Sequence, residues 1–251
     1  MKKKKSFFAA ALSLLVLCAV YGADQFELRL GETLTYEVGW KAAQAGTLSI
    51  RVVEKKQRQG RSAYKLALAV ESNSLIDMMF PVRDRFESWI DEKTFSSSGF
   101  ALRTDEGGKR KQQDIFLNPI TGEYKSRTAR PNKNPNIETE AGRVTKGVQD
   151  YLSALYFLRR QTLAVGKQVF FVLFDGDEEK QVAFKIIRKE TITVPAGTFP
   201  CFVGEVLVKT DTAYAPPPKA RLFVWLSDDA KKVPVQFQAE PAFGQIDIKL
   251  K

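Results

Sequence analysis

From Thr33 onward the chain alternates. Leu34, Tyr36, Val38 and Trp40 are apolar, and Thr33, Thr35, Glu37 and Gly39 lie between them. The same period of two runs through Leu48, Ile50 and Val52 and through Tyr64, Leu66, Leu68 and Val70. Successive side chains of a strand point to opposite faces, so alternation turns one face to a core and the other to water or a cavity. Ala45-Gly46 and Gln59-Gly60-Arg61 separate the runs as turn signals. The three segments predict an antiparallel meander.

Ser74 to Phe80 breaks the period. Leu75, Ile76, Met78, Met79 and Phe80 are too apolar for an ordinary loop, and Pro81 stops whatever precedes it. A short helix or an apolar loop folding over a sheet edge fits. Alternation resumes over 84–91, 99–104, 111–117 and 123–128, with Asn118-Pro119-Ile120-Thr121-Gly122 as a hairpin turn. Ala129 to Gly142 is polar, carries Pro131, Pro135 and three asparagines, and reads as a loop. It divides the chain near its middle, which leaves room for two lobes meeting near 129–146.

One helix stands out over 148–160. Val148, Tyr151, Leu152, Leu155 and Leu158 form an apolar stripe at spacings of three and four, and Arg159 and Arg160 suit the negative end of its dipole. Val169 to Phe174 is continuously apolar, which predicts a strand covered on both faces. Further strands follow to Leu250, with Pro195-Ala196-Gly197-Thr198 as a turn, for roughly a dozen in all. Sheets of this many strands curl or close because closure removes exposed edges. The fold expected is mainly β: a strongly curved antiparallel sheet forming an open or spiral β-barrel, with the 148–160 helix packed on or in it.

The first 23 residues follow another rule. Lys2 to Lys5 precede an apolar run from Phe7 to Val20 and then Tyr21-Gly22-Ala23, the pattern of a secretory signal peptide. Residues 1–23 therefore read as a leader and 24–251 as a single β-rich periplasmic domain. The apolar run is shorter than the roughly 20 residues of a membrane span, and no later segment is long and uncharged enough. An uncleaved anchor is the competing reading. Leu17 before Cys18 argues against lipoprotein anchoring, since Gly, Ala or Ser normally stands there.

Removing the leader changes the composition. Without its four lysines, 35 basic residues face 29 acidic ones, and the net charge falls from +10 to +6. The remaining local excesses, Lys109-Arg110-Lys111 and Arg127, Arg130, Lys133, read as solvated loops or as a weak contact for anionic envelope polymers or lipid headgroups. An exported protein has little access to chromosomal DNA, so no nucleic-acid partner is expected. Cys201 becomes the single cysteine, which excludes an internal disulfide and reads as a buried apolar thiol. The chain has no histidine. This removes Ser-His-Asp and Cys-His catalysis and ordinary zinc sites, while carboxylate-pair hydrolysis stays open.

The acidic clusters read as architecture. Asp175, Asp177, Glu178 and Glu179 lack the ligand spacing of a calcium loop and read as a hairpin tip. Asp84 and Glu87 point to opposite faces of a strand, and Asp84 reads as one half of an ion pair with an arginine. Asp150 opens the helix as its cap. No phosphate cradle, nucleophile elbow or cofactor motif occurs.

Five segments together resemble a bacterial exported family, the domain of unknown function 3108. They are Glu32-Thr33-Leu34-Thr35-Tyr36-Glu37-Val38-Gly39-Trp40 with Ala45-Gly46, Val82-Arg83-Asp84-Arg85-Phe86-Glu87-Ser88, Asp150-Tyr151-Leu152-Ser153-Ala154-Leu155-Tyr156-Phe157-Leu158-Arg159, Val194-Pro195-Ala196-Gly197-Thr198-Phe199, and Trp225-Leu226-Ser227-Asp228-Asp229 with Val233-Pro234-Val235. The resemblance implies a periplasmic or envelope-associated β-rich protein and supplies no catalytic residues.

Three functions stay open. The first is a non-enzymatic envelope protein that binds an apolar ligand or lipid on the concave face of the sheet. Leu75, Ile76, Met78, Met79 and Phe80 would form its lid or entrance. Carriers of lipids and lipoproteins use such a shape, an analogy of fold alone. The second is a scaffold that contacts an envelope protein through 129–142 and the basic runs. The third is a carboxylate-dependent enzyme acting on envelope carbohydrate. The sequence sets neither the ligand nor the oligomeric state.

Overall fold

The computed structural model describes residues 26–41, 43–242 and 244–251, with the side chains of all but Asn134 and Pro135. The leader, with Cys18 and its expected end at residue 23, lies outside the described residues.

Among the described residues, fifteen strands form one antiparallel sheet. The first eight are β1 (Thr33–Trp40), β2 (Ala43–Arg58), β3 (Arg61–Ser72), β4 (Arg83–Asp91), β5 (Ser97–Glu106), β6 (Lys109–Leu117), β7 (Glu123–Arg130) and β8 (Asn134–Arg143). A short helix, α1 (Ser74–Asp77), sits between β3 and β4. Each strand pairs with the one before it. The main helix, α2 (Tyr151–Arg159), then carries the chain to the opposite edge of the sheet. There β9 (Gln168–Phe174), β10 (Glu179–Val194), β11 (Gly197–Lys209), β13 (Ala220–Ser227), β14 (Pro234–Pro241) and β15 (Ile246–Leu250) walk back inward until β15 pairs with β1. The two-residue β12 (Tyr214–Ala215) adds a flap on β11.

The sheet is strongly curved but not closed. Register shifts at Val38/Gly39, Val52/Glu54, Ser88/Ile90, Ile186/Arg188 and Trp225/Leu226 mark bulges, which bend a strand and increase its twist. At Gly204 the Phe184 ring lies on the backbone where a Cβ would stand, so neighbouring strands pack tightly on the inner face. The curl brings Tyr124 of β7 within 4.9 Å of Phe174 of β9, ring centre to ring centre. Gln113 Nε2 also crosses the gap to the Gly176 carbonyl (3.3 Å), and the residues before α2 add backbone bonds. Gln149 donates its N–H to Val172 (2.8 Å) and its carbonyl accepts from Phe174 N (2.8 Å), while Ser97 N donates to Val148 (3.0 Å). A two-residue segment thus bridges β5 and β9 where a closed barrel would have a strand ladder.

The helix forms within the expected 148–160, starting three residues later, after the Asp150 cap, and ending one residue earlier. Asp150 accepts from Leu152 N and Ser153 N, and the Ser153 hydroxyl accepts from Asp150 N, a reciprocal capping box. Leu152, Leu155, Tyr156 and Leu158 are buried, and so are Ser153 and Arg159 on other faces. A helix buried on so many sides lies inside the curl, not on its surface.

Two expectations need correction. The segment 129–142 is not a loop: it is the end of β7, a tight turn and most of β8. Every described residue of β8 is exposed, so neither of its faces carries the apolar period that betrays a strand. The run Val169–Phe174 is not enclosed by sheet neighbours. It is the other edge strand, β9, and Phe170 is more than half exposed with its ring against Tyr214 of β12 (5.4 Å).

Candidate functional site

The inner face divides into a plugged end and an open end. At the plugged end α2 fills the curl, and four of the five family-like segments meet there. Arg159 is fully buried and pairs bidentately with Glu32, Nη2 to Oε1 at 2.7 Å and Nη1 to Oε2 at 2.8 Å. The Tyr156 hydroxyl donates to the same carboxylate (2.9 Å), and Arg159 Nε donates to the Lys231 carbonyl (3.1 Å). Tyr36 OH donates to the Pro234 carbonyl (2.9 Å) beside them. The Phe26 ring stacks on the guanidinium at 3.8 Å. At the helix N-terminus the Ser88 hydroxyl donates to Asp150 Oδ2 (2.7 Å). These residues pin both ends of the plug.

Electrostatics support a structural role. Burial alone would raise the Glu32 carboxyl, but the Arg159 hydrogen bonds and charge outweigh it and hold the group below its ordinary value. Burial raises Asp150, which four hydrogen-bond donors partly offset. Burial pushes the Tyr36 and Tyr156 phenols well up. The Cys201 thiol, buried, is pushed up to about 12, so it is no nucleophile near neutral pH.

The open end is different. Contacts with α2 fix which strand face looks inward: Phe86 meets Tyr151 (5.9 Å) and Phe171 meets Phe157 (6.1 Å). Directly opposed residues share a face. The ladders therefore carry the inner face from Phe86 to Leu68 and Leu102, and through the Leu48–Val70 pair to Val70. On the other side they run from Val38 to Ile248 and Phe237 and, further on, to Val206. These apolar side chains pack on the core yet stay partly exposed. Tyr151 on α2 is 55% exposed though its helix is otherwise buried. The open end is thus an apolar bowl floored by α2. At β6 and β7 the inward positions turn polar: Lys111 is partly exposed, and Gln113, Ser126 and Thr128 are buried.

The segment proposed as lid or entrance stands on the rim of this bowl. Asn73 caps α1, its Oδ1 accepting from Ile76 N (3.0 Å), and its Nδ2 donates to the Gln44 carbonyl (2.7 Å). Ile76 is partly buried, while Leu75, Met78, Met79 and Phe80 are exposed. Two depressions of about 330 and 220 Å³ occur elsewhere, around Tyr124 and Phe116 and around Phe26 and Arg160. Neither contains a residue of 75–80.

The acidic candidates are resolved. Asp84 does not pair with an arginine: Arg83 binds Asp77, Arg85 faces Glu71, and Asp84 Oδ1 accepts from Asp105 N (3.1 Å). Asp84 faces inward at the rim, where burial raises its carboxyl to about 6 with help from a hydrogen bond shared with Glu106. Two acids that touch leave no space for the sugar that a glycosidase pair flanks at about 5 Å or more. Asp175 accepts from Asp177 N and Glu178 N and binds Lys180 (2.6 Å), a hairpin tip. Among the described residues no group of three or more Cys, Asp or Glu is placed to hold a metal ion, and no helix is long and apolar enough to cross a membrane.

Sequence reading expected an apolar concave face but missed the residues that line it and the Glu32–Arg159 pair. Both partners of the pair lie in family-like segments, 127 residues apart in the sequence, with no local sign of contact.

A family model described as a protein of unknown function, DUF3108, matches residues 35–251. No curated protein matches the chain at a significant level. A β-barrel-like protein of the domain of unknown function DUF1849 from Brucella abortus is similar in structure. Its TM-score is 0.59 at 13% identity, covering 89% of this chain and 97% of that one. A protein from Bacteroides fragilis with a YmcC-like fold, proposed to be exported, gives a TM-score of 0.36 at 11% identity over 91% and 97% of the two chains. The first of these shows the barrel-like fold and, at that identity, the fold alone.

Proposed function

The chain belongs to the DUF3108 family of proteins of unknown function, and from that premise we propose that it is a non-enzymatic periplasmic protein of the cell envelope that binds the apolar part of a lipid in its bowl. The observation that carries this reading is the set of inward apolar side chains left partly exposed around Tyr151. Leaving such a surface open costs roughly 25 cal/mol per Å². Covering it with an acyl chain recovers that free energy. The leader-like residues 1–23 support export.

The test uses the chain without residues 1–23. Organic extraction followed by mass spectrometry should find a co-purifying lipid, and a fluorescent fatty acid should bind the stripped protein. Leu68→Gln/Leu102→Gln should weaken probe binding about tenfold or more while circular dichroism shows the sheet still folded. No extracted lipid together with no probe binding sinks the proposal. The scaffold reading draws support from the filled, pinned plug around α2, and that result, with a consistent protein crosslink in cells, would favour it.

A further inference from the structure

The connection between β3 and β4 could have been a two-residue turn. Instead residues 73–82 are spent on it, and they are held rigidly. Besides the Asn73 contacts, Arg83 Nη1 donates to Asp77 Oδ1 (3.0 Å) and to the Ser72 hydroxyl (3.0 Å). Val82 N donates to the Ser72 hydroxyl (2.8 Å), and Gly107 N donates to the Pro81 carbonyl (2.8 Å). The Phe80 ring lies over Gly107, where a Cβ would collide with it. This scaffolding fixes the backbone while the side chains point away: Met78 and Met79 are 78% exposed, Leu75 56% and Phe80 49%. Four large apolar side chains within six residues, rigidly displayed, form a contact surface and not a scatter of single exposed residues.

The flanks say what the surface touches. On one side is the β1–β2 turn with Lys41, reached through the Asn73–Gln44 and Asn73–Ala45 bonds. On the other is the β5–β6 hairpin with Lys109. Neither lysine forms a salt bridge among the described residues: Lys41 lies 5.0 Å from the ring of its neighbour Trp40 with its stem against Gly244, and Lys109 is exposed. A Met-, Leu- and Phe-bearing tip between two unpaired lysines matches a bilayer surface, apolar below and anionic at phosphate depth.

We infer that the 75–80 tip inserts into the headgroup region of a phospholipid membrane, with Lys41 and Lys109 on lipid phosphates, and so sets the mouth of the bowl against the bilayer. As a route for lipid into the bowl this rests on the function proposed above, but membrane binding is measurable without it. Sucrose-loaded vesicles of phosphatidylethanolamine and phosphatidylglycerol are sedimented with the chain lacking residues 1–23. The wild type should pellet. Met78→Asp/Met79→Asp should lose about tenfold or more in partitioning, since the removed apolar surface contributes a kcal/mol or more per side chain. Lys41→Ala/Lys109→Ala should weaken binding less, and raised salt should abolish that difference. Leu68→Gln/Leu102→Gln, in the bowl, should still pellet, which separates failure of docking from failure of lipid binding. Every substituted tip and flank residue is exposed or lies in a turn, and unchanged circular dichroism melts confirm folding. A wild type that stays in the supernatant overturns the inference. So does an Asp variant that pellets equally, or a photo-crosslinker at position 79 that captures a single protein and no lipid.

Discussion

Glu32→Ala should cost the protein about 3 kcal/mol, and the reason is the guanidinium it leaves behind. Arg159 has no exposed side-chain surface, and Glu32 retains 21%. Two charge-assisted bonds of 2.7 and 2.8 Å join them, and Tyr156 donates a third to the same carboxylate. Removing one partner of a buried pair typically costs about 3–5 kcal/mol, because the remaining charge stays desolvated and unpaired. The partial exposure of Glu32 places this pair at the lower end. For a domain of this size about 1 kcal/mol moves the melting temperature by 2–4 °C, so a drop of about 6–12 °C is expected. Glu32→Leu/Arg159→Met should recover much of that loss, since it removes both charges together. The pH dependence carries the same sign. Glu32 is held below its ordinary value of 4.5 in the folded state. Its stabilisation is therefore present above that value and fades as pH falls through the folded-state value. Thermal melts of wild type and Glu32→Gln, followed by circular dichroism, should differ by a constant amount from pH 5 to 8 and converge below pH 4.5. An Ala variant melting within about 2 °C of wild type, or a Gln difference as large at pH 3 as at pH 7, would refute the reasoning.

Two further outcomes follow. Gly204→Ala should destabilise by about 1–3 kcal/mol, because its Cβ would overlap the fully buried Phe184 ring. Gly39→Ala, whose nearest new neighbour is at 3.7 Å, is the mild control, and equal urea midpoints for the two would contradict the packing. Asp84, raised to about 6 by burial and Glu106, binds a proton in the folded state over a range where the unfolded chain has lost it. Its contribution to stability therefore falls as pH rises from about 4 to about 6. Asp84→Asn should flatten the urea midpoint over that window, and an unchanged slope would show that the rim acids do not share a proton.

Much of the fold was legible because local rules wrote it. The period of two at Leu34–Trp40 and Tyr64–Val70 reports one buried face per strand. The Asp150 cap and the Leu152–Leu158 stripe report a helix start and an apolar side. The strand pair around 129–142 was invisible because every described residue of β8 is exposed, so its faces need no apolar period. The exposed position of Met78 and Met79 was equally hidden, since an apolar run looks the same whether it is buried or displayed.

Alternation by itself fixed that each strand has two unlike faces and that the chain is a meander around one helix. It could not say which strands meet, because the β1–β15 pairing, the Glu32–Arg159 bond and the Val148–Gln149 bridge join residues far apart along the chain. Only the curl decided that α2 plugs one end and leaves the other an open apolar bowl. Closure depends on twist accumulated over fourteen strands and on where the bulges fall, quantities that no single segment contains.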